Sequence, residues 1–256
     1  MPAAVFAAPA AAPAPKPPKH TWLQSIALHL LPGLVPLACM LLLVPLVEAW
    51  GLPPVMVMVL GAPLGVLPLQ LSILYFLGRK RNGRLSLEGI VVLREKVSVG
   101  QLLLIVLALF LWSGLIFMVL GGWLESLLLP FFTWIPQGIR VTQAGLGSAS
   151  TGIAVMTGVL GMLFIAWLAP IVEELYFRGY LLPRIPASPA GAALTNAILF
   201  AVYHFWSPWS IPGRILMVAP MAYAVHKKRS LWISVATHCL LNTVDVVGWI
   251  PFLLIK

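Results

Sequence analysis

Long apolar runs cut by short basic clusters limit what this chain can become more than any other feature of it. Seven such runs lie near residues 26–47, 54–77, 102–120, 159–182, 192–206, 214–225 and 231–249. A hydrocarbon core about 30 Å thick takes about 20 apolar residues per helical crossing. Inside it the backbone polar groups must be satisfied within the protein. The 256 residues are 61% hydrophobic and 9% charged, where a soluble domain carries about 25% charged residues. The expected fold class is therefore all-α, a polytopic transmembrane helical bundle of about seven to eight spans. A β-barrel would show alternating ten-residue segments instead.

The chain divides at its composition shifts. Residues 1–22 are an Ala/Pro-rich tail, expected to be disordered because its prolines break helices. Residues 23–150 hold the N-terminal spans and the basic loop 78–100, and residues 151–256 the later spans. Six basic residues between Arg79 and Lys96 mark that loop as cytoplasmic. Arg184 and Lys227-Lys228-Arg229 then fall on the same side, giving a multi-pass protein with a cytoplasmic N-terminus and an outer C-terminus. Part of the loop, 85–97, reads as an amphipathic helix on the inner surface. The net charge of +9 is spent on orientation, so no nucleic-acid partner is expected. Cys39 and Cys239 show no metal-ligand spacing and read as core thiols. Trp22, Trp50, Trp123, Trp206, Trp209 and Trp249, near predicted span ends, read as interfacial anchors.

Only seven acidic residues occur in the chain, and two adjoin each other in Pro170-Ile-Val-Glu-Glu-Leu-Tyr-Phe-Arg-Gly179. A carboxylate at membrane depth costs a few kcal/mol and marks function by default. On a helix Glu174 and Arg178 share a face and form an ion pair, while Glu173 points about 100° away and needs partners from other segments. The candidates are few. His204 ends Phe200-Ala-Val-Tyr-His204, and His238, Asn242 and Asp245 follow i, i+4, i+7 spacing on the last span. A start of the fourth span near Val159 places Glu173 at a depth these groups reach. A Glu can serve as general base on a water with a His assisting, and imidazole and amide groups can donate to an oxyanion. Those are the parts of peptide hydrolysis without a covalent intermediate.

Glu173-Glu174-x-x-x-Arg178, Phe200-x-x-x-His204 and His238-x-x-x-Asn242, in that order over residues 150–250, resemble the CPBP family. This is the Rce1-like (Abi) family of CAAX proteases and bacteriocin-processing intramembrane endopeptidases. The resemblance implies that Glu173 activates the water with His238 assisting, that His204 and Asn242 form the oxyanion hole, and that Glu174 and Arg178 hold helix geometry. Asp245 is expected as a further partner of His238. No cofactor is required, although Glu173, His204 and His238 would suffice as an open zinc site; no His-Glu-x-x-His pair supports one. The implied partner is a membrane-bound peptide or protein substrate, such as a bacteriocin precursor or a C-terminal sorting signal, in a bacterial inner membrane. Oligomeric state is unspecified. Two other readings stay open: a proton-coupled transporter, since Glu/His chains also relay protons, and a non-catalytic scaffold or immunity protein.

Overall fold

The computed structural model describes residues 17–93, 95–140 and 146–249. Eight helices occur among them and no strand. They are α1 (Trp22–Ala49), α2 (Met56–Asn82), α3 (Val99–Phe132), α4 (Gln137–Arg140), α5 (Thr151–Arg184), α6 (Pro189–Tyr203), α7 (Ile211–Lys228) and α8 (Trp232–Val247). Helices α1, α2, α3 and α5 are long and apolar enough to cross a membrane. At 15 and 16 residues, α6 and α8 extend only about 22–24 Å. Seven substantial helices thus stand where seven to eight spans are expected: four are long and apolar enough to cross, α6 and α8 are shorter, and α7, at 18 residues, is long enough but less apolar.

Burial runs opposite to that of a soluble protein. Leu103, Leu107, Leu111 and Leu115 form an exposed i, i+4 stripe along α3, while Gln70, Asn196, Glu173, Glu174 and Arg178 are buried. A lipid-facing surface has no reason to hide its leucines, and polar groups inside a bundle need one another. Two ties show it. Gln70 donates to the Tyr203 hydroxyl at 3.0 Å. The Asn196 amide donates both to His29 Nε2 and to the Phe177 carbonyl, each at 3.0 Å.

Helix α5 is the axis of the fold: it packs against α1, α2, α6, α7 and α8, whereas α3 lies outside against α7 and α8. It starts at Thr151, capped by the Ser150 hydroxyl, and not near Val159 as expected. It runs eleven residues beyond Glu173, to Arg184, so the acidic doublet sits well inside the helix. The small residues of α5 act as packing notches. A Cβ at Gly161 would stand 2.6 Å from the Trp249 ring, which fills the space.

Several expectations need correction. Residues 85–97 form no helix among those described; the chain turns at Gly83 and Gly89, both at positive φ, and folds back onto the bundle. Its Val92 amide donates to the Gly179 carbonyl, and the Leu231 amide donates to that of Leu93. Ile90, Val91 and Leu93 are buried by this return, which outweighs any preference for lying on the membrane surface. The tail expected over 1–22 is ordered from Pro17 onward: the His20 amide donates to the Arg184 carbonyl and Lys19 to the carbonyls of Pro183 and Ile185. Residues 1–16 lie outside the described part. Trp22, Trp50 and Trp123 are exposed, as anchors should be, but Trp206, Trp209 and Trp249 are buried against the bundle. Cys39 and Cys239 are free and half-buried.

Candidate active site

Helix α5 departs from regular α geometry on both sides of the acidic doublet. Wide turns over Gly161–Leu168 and Glu174–Leu181 flank the regular turn Ala169–Glu173. The first has an identifiable cause. Pro170 brings no N–H, and the Ala169 N–H bonds back five residues to Phe164. The Ile165 carbonyl thereby loses both the donors that could reach it along the helix. The Asn242 amide on α8 takes their place at 2.9 Å. Such bulges recur at functional sites. Here one locks α8 to the helix that carries the acids.

Glu174 and Arg178 pair as expected, with Arg178 Nη1 2.9 Å from Glu174 Oε1 and both side chains fully buried. The same carboxylate oxygen also meets His238 Nδ1, at 2.9 Å. A carboxylate can only accept, so Nδ1 carries the hydrogen, and in the neutral ring Nε2 presents its lone pair. Glu174 therefore does more than hold a helix: it sets the orientation and tautomer of His238. The partner expected for this ring, Asp245, is exposed two turns further along α8. Of the three-residue polar stripe, His238 and Asn242 bond to α5, and no hydrogen bond from Asp245 to α5 occurs among the described residues.

Glu173 is 6% exposed and lies within electrostatic reach of His238, Arg178 and Arg214. No side-chain hydrogen bond to it occurs among the described residues, which leaves its oxygens available to a small ligand. His204 stands one residue past the end of α6, with φ −79° and ψ 60°. Its Nδ1 is 2.8 Å from the Phe200 carbonyl. That bond again assigns the hydrogen to Nδ1, so neutral His204 offers an acceptor at Nε2. Phe200 separates the two imidazoles, its centroid 4.7 Å from that of His204 and 6.1 Å from that of His238. The Arg178 guanidinium lies over the same ring, 4.1 Å from its centroid.

Arg214 was not among the residues expected here. Three residues after His204, Ser207 accepts from Arg214 Nη2 at 3.0 Å, which brings the guanidinium back from the first turn of α7 toward the His204 corner. Its Nη1 is buried without a hydrogen-bond partner among the described residues, as are Arg178 Nε and Nη2. A lone arginine at the head of an apolar run was the available signal. Among the described residues no three His, Cys, Asp or Glu side chains gather as a metal site. Glu173, His204 and His238 are not gathered closely enough to be such a set.

The arrangement provides one buried carboxylate open to a water, an imidazole oriented by a second carboxylate, and unspent donors on two guanidinium groups. Residues 154–244 match the family model of the type II CAAX prenyl endopeptidase, Rce1-like, and all the site residues named above from Glu173 to Asn242 fall inside that match. No match was found among curated proteins or among solved structures.

Proposed function

Taking the Rce1-like character of residues 154–244 as the premise, we propose that this chain is an intramembrane endopeptidase whose Glu173 activates the attacking water. The observation that carries the proposal is the shared Glu174 Oε1, which receives both Arg178 and His238 at 2.9 Å. A fully buried carboxylate held by an arginine remains charged and keeps the ring facing it in one tautomer. The lone pair at His238 Nε2 then serves beside Glu173.

In this reading Glu173 takes a proton from water as the hydroxide adds to the scissile carbonyl. The proton passes to the departing amine from Glu173, with His238 Nε2 as the alternative relay. The developing oxyanion is met by the second Nδ2 hydrogen of Asn242 and by Nη1 of Arg214, which has no hydrogen-bond partner among the described residues. Neutral His204, with its hydrogen on Nδ1 bonded to the Phe200 carbonyl, presents Nε2 to the site as an acceptor and adds no donor to that pair. The substrate is a membrane-associated peptide or protein, either a C-terminally processed precursor or a bacteriocin-type peptide. The site faces the cytoplasmic side of a bacterial inner membrane.

Comparing protein termini in membranes from cells carrying the wild type or Glu173→Gln tests the proposal. A defined set of termini should vanish in the variant, with the matching uncut precursors accumulating. Identical terminal profiles at equal protein levels would refute it. A proton-coupled transporter would leave those profiles unchanged and alter uptake instead.

A further inference from the structure

Far from the acidic doublet, at the Arg184 end of α5, a second polar site is built from three separate parts of the chain. Lys19 and His20 come from the segment before α1, Lys80 and Arg81 from the end of α2, and Tyr180 and Arg184 from the end of α5; together they line a cavity of about 320 Å³. No carboxylate is among its lining residues. The acid nearest in sequence, Glu88, is engaged with Arg84 at 3.1 Å on the exposed surface.

Arg184 is the residue that calls for explanation. It is 4% exposed, stacked over the Tyr180 ring at 4.5 Å, and bonded to the carbonyls of Tyr180 and Gly89 at 2.6 and 3.2 Å. Carbonyls satisfy its donors without neutralising its charge, and a buried cation without a counter-charge is expensive. Lys19 donates to the carbonyls of Pro183 and Ile185, and the buried Nδ1 of His20 has no hydrogen-bond partner among the described residues. Scattered surface lysines would satisfy a rule of membrane orientation. Converging cations around a buried arginine do more than that.

We propose that this cavity binds a phosphate group, carried to it by an anionic phospholipid. The surroundings favour lipid as the carrier. Trp22 and Leu23, just after His20, and Phe76, beside Leu77 of the lining, are exposed apolar side chains. Cations directly adjoining exposed apolar and aromatic residues define the level of lipid headgroups. Basic pockets between helices on the cytoplasmic side are where anionic headgroups are held. A phosphate there supplies Arg184 with a counter-charge that none of the described lining residues provides, and ties the segment before α1 to the end of the helix that bears Glu173.

The test uses the full chain purified in a non-ionic detergent, with phosphatidylglycerol, phosphatidylcholine of the same acyl chains, and inorganic phosphate as probes. Native mass spectrometry should show phosphatidylglycerol retained roughly tenfold over phosphatidylcholine, and Lys80→Glu combined with Arg81→Gln should remove that preference. Thermal unfolding should rise with phosphatidylglycerol in the wild type and not in the variant. Lys80→Glu alone, at an exposed position, should weaken retention without lowering the lipid-free midpoint. Equal retention of the two lipids, or an unchanged preference in the double variant, would overturn the site. Stabilisation by inorganic phosphate equal to that by phosphatidylglycerol at the same concentration would overturn the lipid as its source. None of these readouts depends on peptidase activity.

Discussion

At the scale of single residues, the site is governed by who donates to whom. The Glu174 carboxylate holds an arginine and a histidine on one oxygen, so removing either partner has different consequences. Arg178→Ala strands a buried negative charge, and the expected loss is about 3–5 kcal/mol of stability, read as reduced membrane levels and a lower unfolding midpoint. His238→Gln keeps an amide donor near Glu174 and should leave the midpoint close to that of the wild type while processing falls roughly 10²-fold or more. Equal stability loss in both would mean that His238 is a structural strut. Asn242→Leu leaves the Ile165 carbonyl without a donor, at an expected cost of about 1–3 kcal/mol seen in the same melting measurement. These residues were legible in the sequence because ionisable groups are scarce in its apolar runs and because i, i+4 spacing fixes a shared face. Their bonds were not. Spacing says that His238 and Asp245 can lie on one side of a helix, but only packing decides that the ring turns to Glu174. Arg214 escaped notice because a cation at the head of an apolar run reads as an orientation signal until Ser207 is seen to draw it back to His204.

At the scale of elements, the polar chemistry is carried by one long helix and three short ones. Helix α5 supplies both acids, while α6, α7 and α8 bring His204, Arg214 and the His238–Asn242 pair to it. The positions of the helices could be read from hydropathy, since each run of apolar residues needs a helix to satisfy its backbone. The wide turns of α5 could not, because they depend on which carbonyl finds which amide once Pro170 has removed one. The fold-back of residues 83–93 is hidden from the sequence for a related reason. Its leucines and valines alternate with charges like an amphipathic helix, yet three backbone positions at positive φ, Gly83, Gly89 and Leu93, let it lie against α2 and α5 instead. The approach is close at Gly78, where a Cβ would collide with the Ser86 carbonyl. Gly78→Ala should therefore displace this segment and cost about 1–3 kcal/mol. Faster proteolysis within 83–93 would report it, and an unchanged digestion pattern would count against the close packing.

At the scale of the whole molecule, exposed leucines along α3 and buried acids along α5 describe one inversion: apolar surface faces lipid, and charge faces charge. Composition made that class readable at once. It did not separate helices long enough to cross a membrane from those that end early, because hydropathy does not show where a helix breaks, as α6 does one residue before His204. The proposed topology, with both basic clusters on the cytoplasmic side, predicts that single cysteines introduced as Asn82→Cys and Lys228→Cys, in a background lacking Cys39 and Cys239, react with an impermeant thiol reagent only after membranes are opened. Gly147→Cys should react in intact cells. Labelling of Asn82→Cys and Lys228→Cys from opposite sides would reverse the assignment of one loop.

The central claim is that Glu173 supplies the base, and it is tested most directly by the cleavage rate of one identified precursor with the wild type and with Glu173→Gln in the same lipid. That substitution preserves shape and removes the proton acceptor. The rate should fall roughly 10²–10⁴-fold while the unfolding midpoint holds. Cleavage at the wild-type rate by a folded Glu173→Gln protein would contradict the account.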